Sequence, residues 1–257
     1  MYFHPMNLQF DKYFFILQNI ATRYYLLAGL AFLLFYVLLK NKIVKQKIQS
    51  TFPKYTDYLR EIFYSSTTIL IFALIPIFFI YNPVVKPYTT LYQNISDYGW
   101  VYYFAAYPIM FVIHDTYFYW SHRIMHHKSL FNIMHLVHHK STNPSPWAAY
   151  AFHPLEAIVE QGIFVVFLFT IPVHKSHMGI FFLLSIIYNI YGHLGWELYP
   201  NGFSKSFIGK WINTSVNHNQ HHKYFKGNYG LYFLFWDRIM GTIRADYDQA
   251  FEEVKSR

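Results

Sequence analysis

Five imidazoles between His122 and His139 fall at helical spacings, in the stretch S-H-R-I-M-H-H-K-S-L-F-N-I-M-H-L-V-H-H that begins at Ser121. His122 and His126 are four residues apart, so on a helix they stand one above the other. His135, His138 and His139 form an i, i+3, i+4 set that projects to one side. Imidazole is the commonest metal ligand among side chains, and several on one face present their nitrogens to a common ion. A lone histidine is usually a hydrogen-bonded core or surface residue, but five at these spacings point to a metal site.

A third cluster, His218-Asn219-Gln220-His221-His222, repeats the spacing of His135-Leu136-Val137-His138-His139. Between the two lie Asn189 and His193, again four apart. The candidate ligands are therefore His122, His126, His135, His138, His139, His193, His218, His221 and His222, with Asn189 as a tenth member to consider. Nine imidazoles exceed the capacity of one tetrahedral or octahedral ion, so two metals are expected. Neither H-E-x-x-H nor H-x-x-E-H occurs, and the Glu-x-x-His pairs of soluble di-iron bundles are missing as well. Residue type alone leaves Fe, Zn and Cu open.

Supporting residues follow from helical phase. Asp115 precedes His122 by seven and Glu197 follows His193 by four. Either carboxylate is placed to take the second ring N–H of a ligand, or to pair where a span ends. Glu156 and Glu160, four apart where an apolar run begins, are placed to cap that helix or support the site, and the position behind Pro154 favours capping by Glu156. His153 is a candidate for support or substrate contact. His114 and His127 are out of phase with the boxes. His4, His174 and His177 fall on the opposite side and are expected to be incidental. Asp237 and Arg238 are expected to brace the C-terminal region.

The elements that must position these residues are long and apolar. Of 257 residues 54% are hydrophobic and only 13% charged, and Phe and Tyr contribute 27 and 25. That balance indicates a membrane protein. Without cysteine, disulfides, thiolate ligands and a cysteine nucleophile are excluded. The net charge of +8 is not gathered into a nucleic-acid-binding motif, so no nucleic acid partner is expected. Apolar runs cover Tyr24–Leu39, Ile62–Tyr81, Trp100–Trp120, Leu155–Ile171 and Met178–Gly192. The first is expected to be a retained transmembrane helix rather than a cleaved signal. Pro76 predicts a kink rather than a stop, and the last two runs make either two spans or a hairpin dipping into the bilayer. Segments 40–61, 121–154 and 196–257 hold 6, 3 and 8 basic residues, against four elsewhere. This bias places them, with every histidine cluster, on the cytoplasmic side.

Three ordered boxes, H-x-x-x-H, H-x-x-H-H and H-x-x-H-H, resemble the fatty acid hydroxylase/sterol desaturase superfamily. So do Tyr119-Trp120-Ser121-His122-Arg123, His153-Pro154-Leu155-Glu156, the stretch from Asn189 to Glu197, and Phe235-Trp236-Asp237-Arg238-Ile239-Met240-Gly241-Thr242. The resemblance covers about residues 100–245. It implies a non-haem di-iron centre, O2 as oxidant, and electrons from a separate partner such as a cytochrome b5-like protein, ferredoxin or reductase. It also implies hydroxylation or desaturation of a fatty acyl or sterol-like lipid. Asn189 stands where some members carry another histidine, which implies a bridging water there.

The expected architecture is all-α and integral to the membrane, with four to five transmembrane helices and a cytoplasmic helical cap holding a dimetal site. Expected divisions are 1–99 with two spans, 100–245 as the catalytic region and 246–257 as a tail. Two rival readings are a zinc-dependent lipid hydrolase and a non-enzymatic metal carrier. The position of the histidines, at one end of the apolar runs rather than at mid-membrane, argues against the carrier.

Overall fold

In the computed structural model, which describes residues 10–257, each apolar run becomes a helix. His4 lies outside the described residues. Helix α1 (Phe10–Phe32) runs on through a π-helical turn at Leu33–Leu38, and a short α2 (Lys40–Ile43) follows. Helix α3 (Tyr55–Phe79) passes through Pro76 without stopping. After strand β1 (Leu91–Tyr92), α4 (Gly99–Met125) delivers the chain to the first histidines. Short helices α5 (Phe131–Met134) and α6 (Leu136–His139) carry the second box. An antiparallel pair follows, α7 (Pro154–Thr170) and α8 (Lys175–Gly192), with strand β2 (Val173–His174) in the turn. The C-terminal region adds α9 (Ser215–Tyr224), α10 (Phe235–Ile239) and α11 (Tyr247–Lys255).

Local chemistry sets the helix ends around the site. Pro154 opens α7 where its missing N–H costs nothing, and the His153 ring caps the helix by accepting from the Leu155 amide at 3.2 Å. This corrects the expectation that Glu156 caps α7. Thr214 caps α9 by accepting from Asn217 N at 3.1 Å. The same helix ends at Phe225, which adopts the left-handed region at φ 64°. A non-glycine residue there is held by its surroundings, here by ring packing on Phe131 and His139.

Two helices, Phe10–Leu38 and Tyr55–Phe79, are long and apolar enough to cross a membrane. Helices α7 and α8, of 17 and 18 residues, are each ~26 Å long, a little under the ~30 Å of a hydrocarbon core. Their turn nevertheless meets the far end of the longer helices. β2 pairs in parallel with β1, Tyr103 Oη lies 2.8 Å from Ser176 Oγ at the start of α4, and Phe79 at the end of α3 packs on Phe169. The chain therefore folds as a bundle whose helices begin or end at one common histidine-bearing face. One core joins α1, α3, α7, α8 and the loop around Trp147, and a second joins α4, α7 and α8. The outward faces stay apolar, with Phe14, Leu26, Phe63, Leu70, Phe104 and Val112 all exposed.

Candidate metal centre

At that common face the nine imidazoles form two groups. His122, His126, His135, His139 and His221 make one, and His138, His193, His218 and His222 the other. Within each group one nitrogen per ring lies within 4.8 Å of all the others. His122 comes from the last turn of α4, and His126 stands one residue past its end. His135 joins α5 to α6, His138 and His139 end α6, His193 ends α8, and the last three sit on α9. The stretch from 122 to 139 is thus broken at 126–130, yet each half keeps its helical phase. All nine are buried except His126, which is half-buried.

Five of the rings are fixed through Nδ1. His122 donates to the Tyr229 carbonyl (2.9 Å), His193 to Asn189 O (2.7 Å), His221 to Gly227 O (2.7 Å) and His222 to Ser141 O (2.9 Å). His135 donates to Glu156 Oε1 at 2.7 Å. Opposite a carbonyl oxygen a ring nitrogen must carry the proton, which leaves Nε2 as a bare lone pair. These lone pairs face one another, with His122 and His135 Nε2 3.0 Å apart and His193 and His222 Nε2 3.2 Å apart. Two unprotonated nitrogens cannot hydrogen-bond, so an ion between them is what the arrangement accommodates. With metal–nitrogen bonds of ~2.1 Å, neighbouring ligands stand ~3.0 Å apart in an octahedron and ~3.4 Å in a tetrahedron. The observed Nε2 separations, 3.0 to 3.5 Å, fall in that range. The donor set fits two metal ions.

Burial and mutual repulsion keep these rings neutral. Desolvation is the largest cause for every one, taking His122 and His193 down to about 4 and His138, His139 and His222 well below the usual 6.5. Neighbouring imidazoles lower the last three further. A neutral imidazole is the form that binds metal.

The proposed supporting residues divide. Glu156 receives a ring N–H as described, while its Oε2 has no partner among the described residues. Asp115 does not receive one. Its Oδ1 accepts from the Tyr232 and Phe233 amides at 2.8 and 3.1 Å, because the C-terminal segment folds against α4 at that level. Glu197 likewise turns to the start of α9, accepting from Val216 N at 3.1 Å and Tyr199 N at 3.0 Å. There a carboxylate suits the helix dipole better than it would a second imidazole. Asn189 meets His193 through its backbone, and its side chain donates to Ala149 O at 2.7 Å, so it adds no atom to either group. His153 stays at the head of α7. His114 pairs with Tyr232 Oη (3.0 Å), His127 is exposed, and His174 and His177 bond Gln93 O and Tyr103 O at the far end.

Sequence reasoning missed most of the support, because it is carbonyl oxygen. Tyr229 is held by Asp237, whose carboxylate accepts from the amides of Tyr229 (2.9 Å) and Gly230 (2.8 Å) and from Thr242 Oγ1 (2.7 Å). The Ser141 carbonyl belongs to a loop, 141–147, gripped by the N-terminal helices. Arg60 donates to Ser141 Oγ (3.2 Å), Gln49 to Thr142 O (2.8 Å), and Ser65 and Tyr24 to Trp147 O (2.9 and 2.6 Å). Buried Glu61 accepts from Ser145 Oγ. The available signal was an acid, Glu61, at the border of the apolar run Ile62–Tyr81.

Comparison with known proteins agrees on one family. The family model described as fatty acid hydroxylase matches residues 107–242. A Delta(7)-sterol 5(6)-desaturase of Gibberella zeae is 33% identical over 207 residues, covering 80% of this chain and 58% of that protein. Lathosterol oxidase of Mus musculus is 31% identical over 163 residues, 62% of this chain and 52% of that protein. A Delta(7)-sterol 5(6)-desaturase of Schizosaccharomyces pombe is 31% identical over 166 residues, 65% of this chain and 53% of that protein. The chain spans somewhat over half the length of each of these relatives. No solved structure matches it.

Proposed function

The chain belongs to the fatty acid hydroxylase family, and from that premise we propose that it is a membrane-bound oxidoreductase that desaturates or hydroxylates a lipid with O2. The observation that carries this reading is the convergence of nine imidazoles from three distant segments into two buried groups. The five-histidine and four-histidine groups would each hold one iron ion. Bound there, the iron pair supplies the O2 activation and C–H oxidation that no side chain performs alone.

The protein's own part is orientation and exclusion. Carbonyls at Tyr229, Gly227, Asn189 and Ser141, and the Glu156 carboxylate, hold five rings with Nε2 inward. Burial removes water that would compete for the metals and keeps the rings deprotonated. A small cavity lined by Tyr188, Asn189, Asn213, Thr214 and Leu231 borders His218 of the four-histidine group. Helices that end at this face let a lipid reach the site from the bilayer without passing through water. Electrons come from an external redox protein in this scheme.

The kinship with sterol desaturases and a lathosterol oxidase favours desaturation of a sterol-like substrate over acyl hydroxylation. Lipid mass spectrometry of cells with and without the intact gene tests this. A loss of two hydrogens marks desaturation and a gain of one oxygen marks hydroxylation. Product that forms equally well without O2 would sink the oxidative reading and favour a zinc-dependent hydrolase.

A further inference from the structure

The C-terminal region exposes an apolar surface that neither the metal centre nor the bundle core uses. Phe207 is 84% exposed, Ile208 68% and Ile239 58%, and Trp211, Phe235 and Met240 are also exposed. Two segments bring them together. Leu234 N donates to Trp211 O (2.8 Å), Asn213 N to Tyr232 O (2.8 Å), and Arg238 Nε to Lys210 O (2.6 Å). Cations rim the patch, with Lys210 lying against the Phe207 and Trp211 rings and Arg238 against Trp211. A soluble surface of this kind would invite aggregation.

The depth of the patch is set by α4. Trp236 Nε1 donates to Thr116 Oγ1 (3.1 Å), its ring packs on Tyr119 and Trp120, and Asp115 holds the Tyr232 and Phe233 amides. Residues 115–120 lie inside an apolar run, on the bundle side of His122. The patch therefore continues the outward apolar face of α4 rather than standing clear of it.

We propose that segments 205–211 and 235–240 form an interfacial foot lying in the lipid headgroup region. The aromatic and aliphatic side chains would insert, and Lys205, Lys210 and Arg238 would meet anionic headgroups. The foot fixes the cap's height and tilt over the bilayer, and so the level at which lipid meets the site. This inference rests on the membrane reading of the proposed function.

The absence of cysteine makes the test clean. Single variants Ile208→Cys, Ile239→Cys, Leu70→Cys on the outward face of α3 and Gln249→Cys on α11 are spin-labelled in the full chain. Each is reconstituted in phosphatidylcholine vesicles containing phosphatidylglycerol. Collision with O2 and with a water-soluble nickel chelate is then measured. Labels at 208 and 239 are expected to be open to O2 and shielded from nickel, as at 70, with the reverse at 249. Labels at 208 and 239 as open to nickel as 249 would overturn the foot. Labels there closed to both reagents would also overturn it, indicating a second copy or another protein on the patch. A nickel-accessible label at 70 would overturn the membrane reading itself.

Discussion

Five imidazoles at the candidate centre owe their orientation to the atom behind Nδ1. Among the described residues, Glu156 is the only carboxylate facing a candidate ligand, through His135 Nδ1. Glu156→Gln retains the shape but weakens the acceptor, and support of this kind sets metal affinity by about 10–100-fold. Metal titration of the variant is expected to show a loss of that order with little change in helix content. The protonation balance makes a second prediction at this scale. His122 and His193 are held at about 4 in the folded chain and return to 6.5 on unfolding, so the unfolded chain binds more protons between those values. Stability is therefore complete above about pH 6.5 and declines as pH falls toward 4, and metal retention declines in the same direction. Thermal melts of the metal-free protein across that window, with metal analysis of the loaded protein, measure both. A Tm that holds flat from pH 7 to 4 would contradict the burial argument.

Among the elements, α3 governs a loop far from it in sequence. Glu61 accepts from Ser145, Arg60 reaches Ser141, and the Ser141 carbonyl receives His222. Glu61→Leu strands the Ser145 hydroxyl in the core, a change that costs about 1–3 kcal/mol. Glu61→Gln keeps an acceptor and is expected to lose less. Unfolding in detergent gives the stability difference, and metal content shows whether the loop still presents Ser141. The segment 229–233 is the counterpart on the other metal group. A Cβ at Gly230 would meet the Phe233 carbonyl oxygen and stand 3.0 Å from Asp237 Oδ2. Gly230→Ala must therefore displace backbone whose neighbour, Tyr229, orients His122. Destabilisation of about 1–3 kcal/mol is expected, together with weaker metal retention.

For the whole molecule, orientation is the property to test. Seventeen basic residues lie in the segments at the histidine-bearing end and four elsewhere, which predicts that this end faces the cytoplasm. Val84, in the connection between α3 and α4, is 73% exposed at the opposite end. A membrane-impermeant maleimide applied to intact cells is expected to label Val84→Cys at once and Gln249→Cys only after lysis. The reverse pattern would invert the topology. The common alignment of the helix ends is also why one candidate metal centre can gather imidazoles from α4, α6, α8 and α9 without crossing the bundle.

The candidate ligands and the apolar frame are both legible in the order of residues. Helical spacing reveals imidazoles that share a face, and long apolar runs show as helices whatever they pack against. Phase could not tell what an acid would meet. Asp115, Glu197 and Glu156 all stand at suitable intervals from a histidine, yet only Glu156 receives a ring N–H, while the other two hold backbone amides. The split into groups of five and four imidazoles, the carbonyls behind the rings and the grip of α3 on loop 141–147 emerge only when the chain folds. The reason is physical. Periodicity reports which way a side chain leaves its own helix, whereas the partner it finds depends on other segments, here 19 to 117 residues away, and a backbone carbonyl looks the same in every residue.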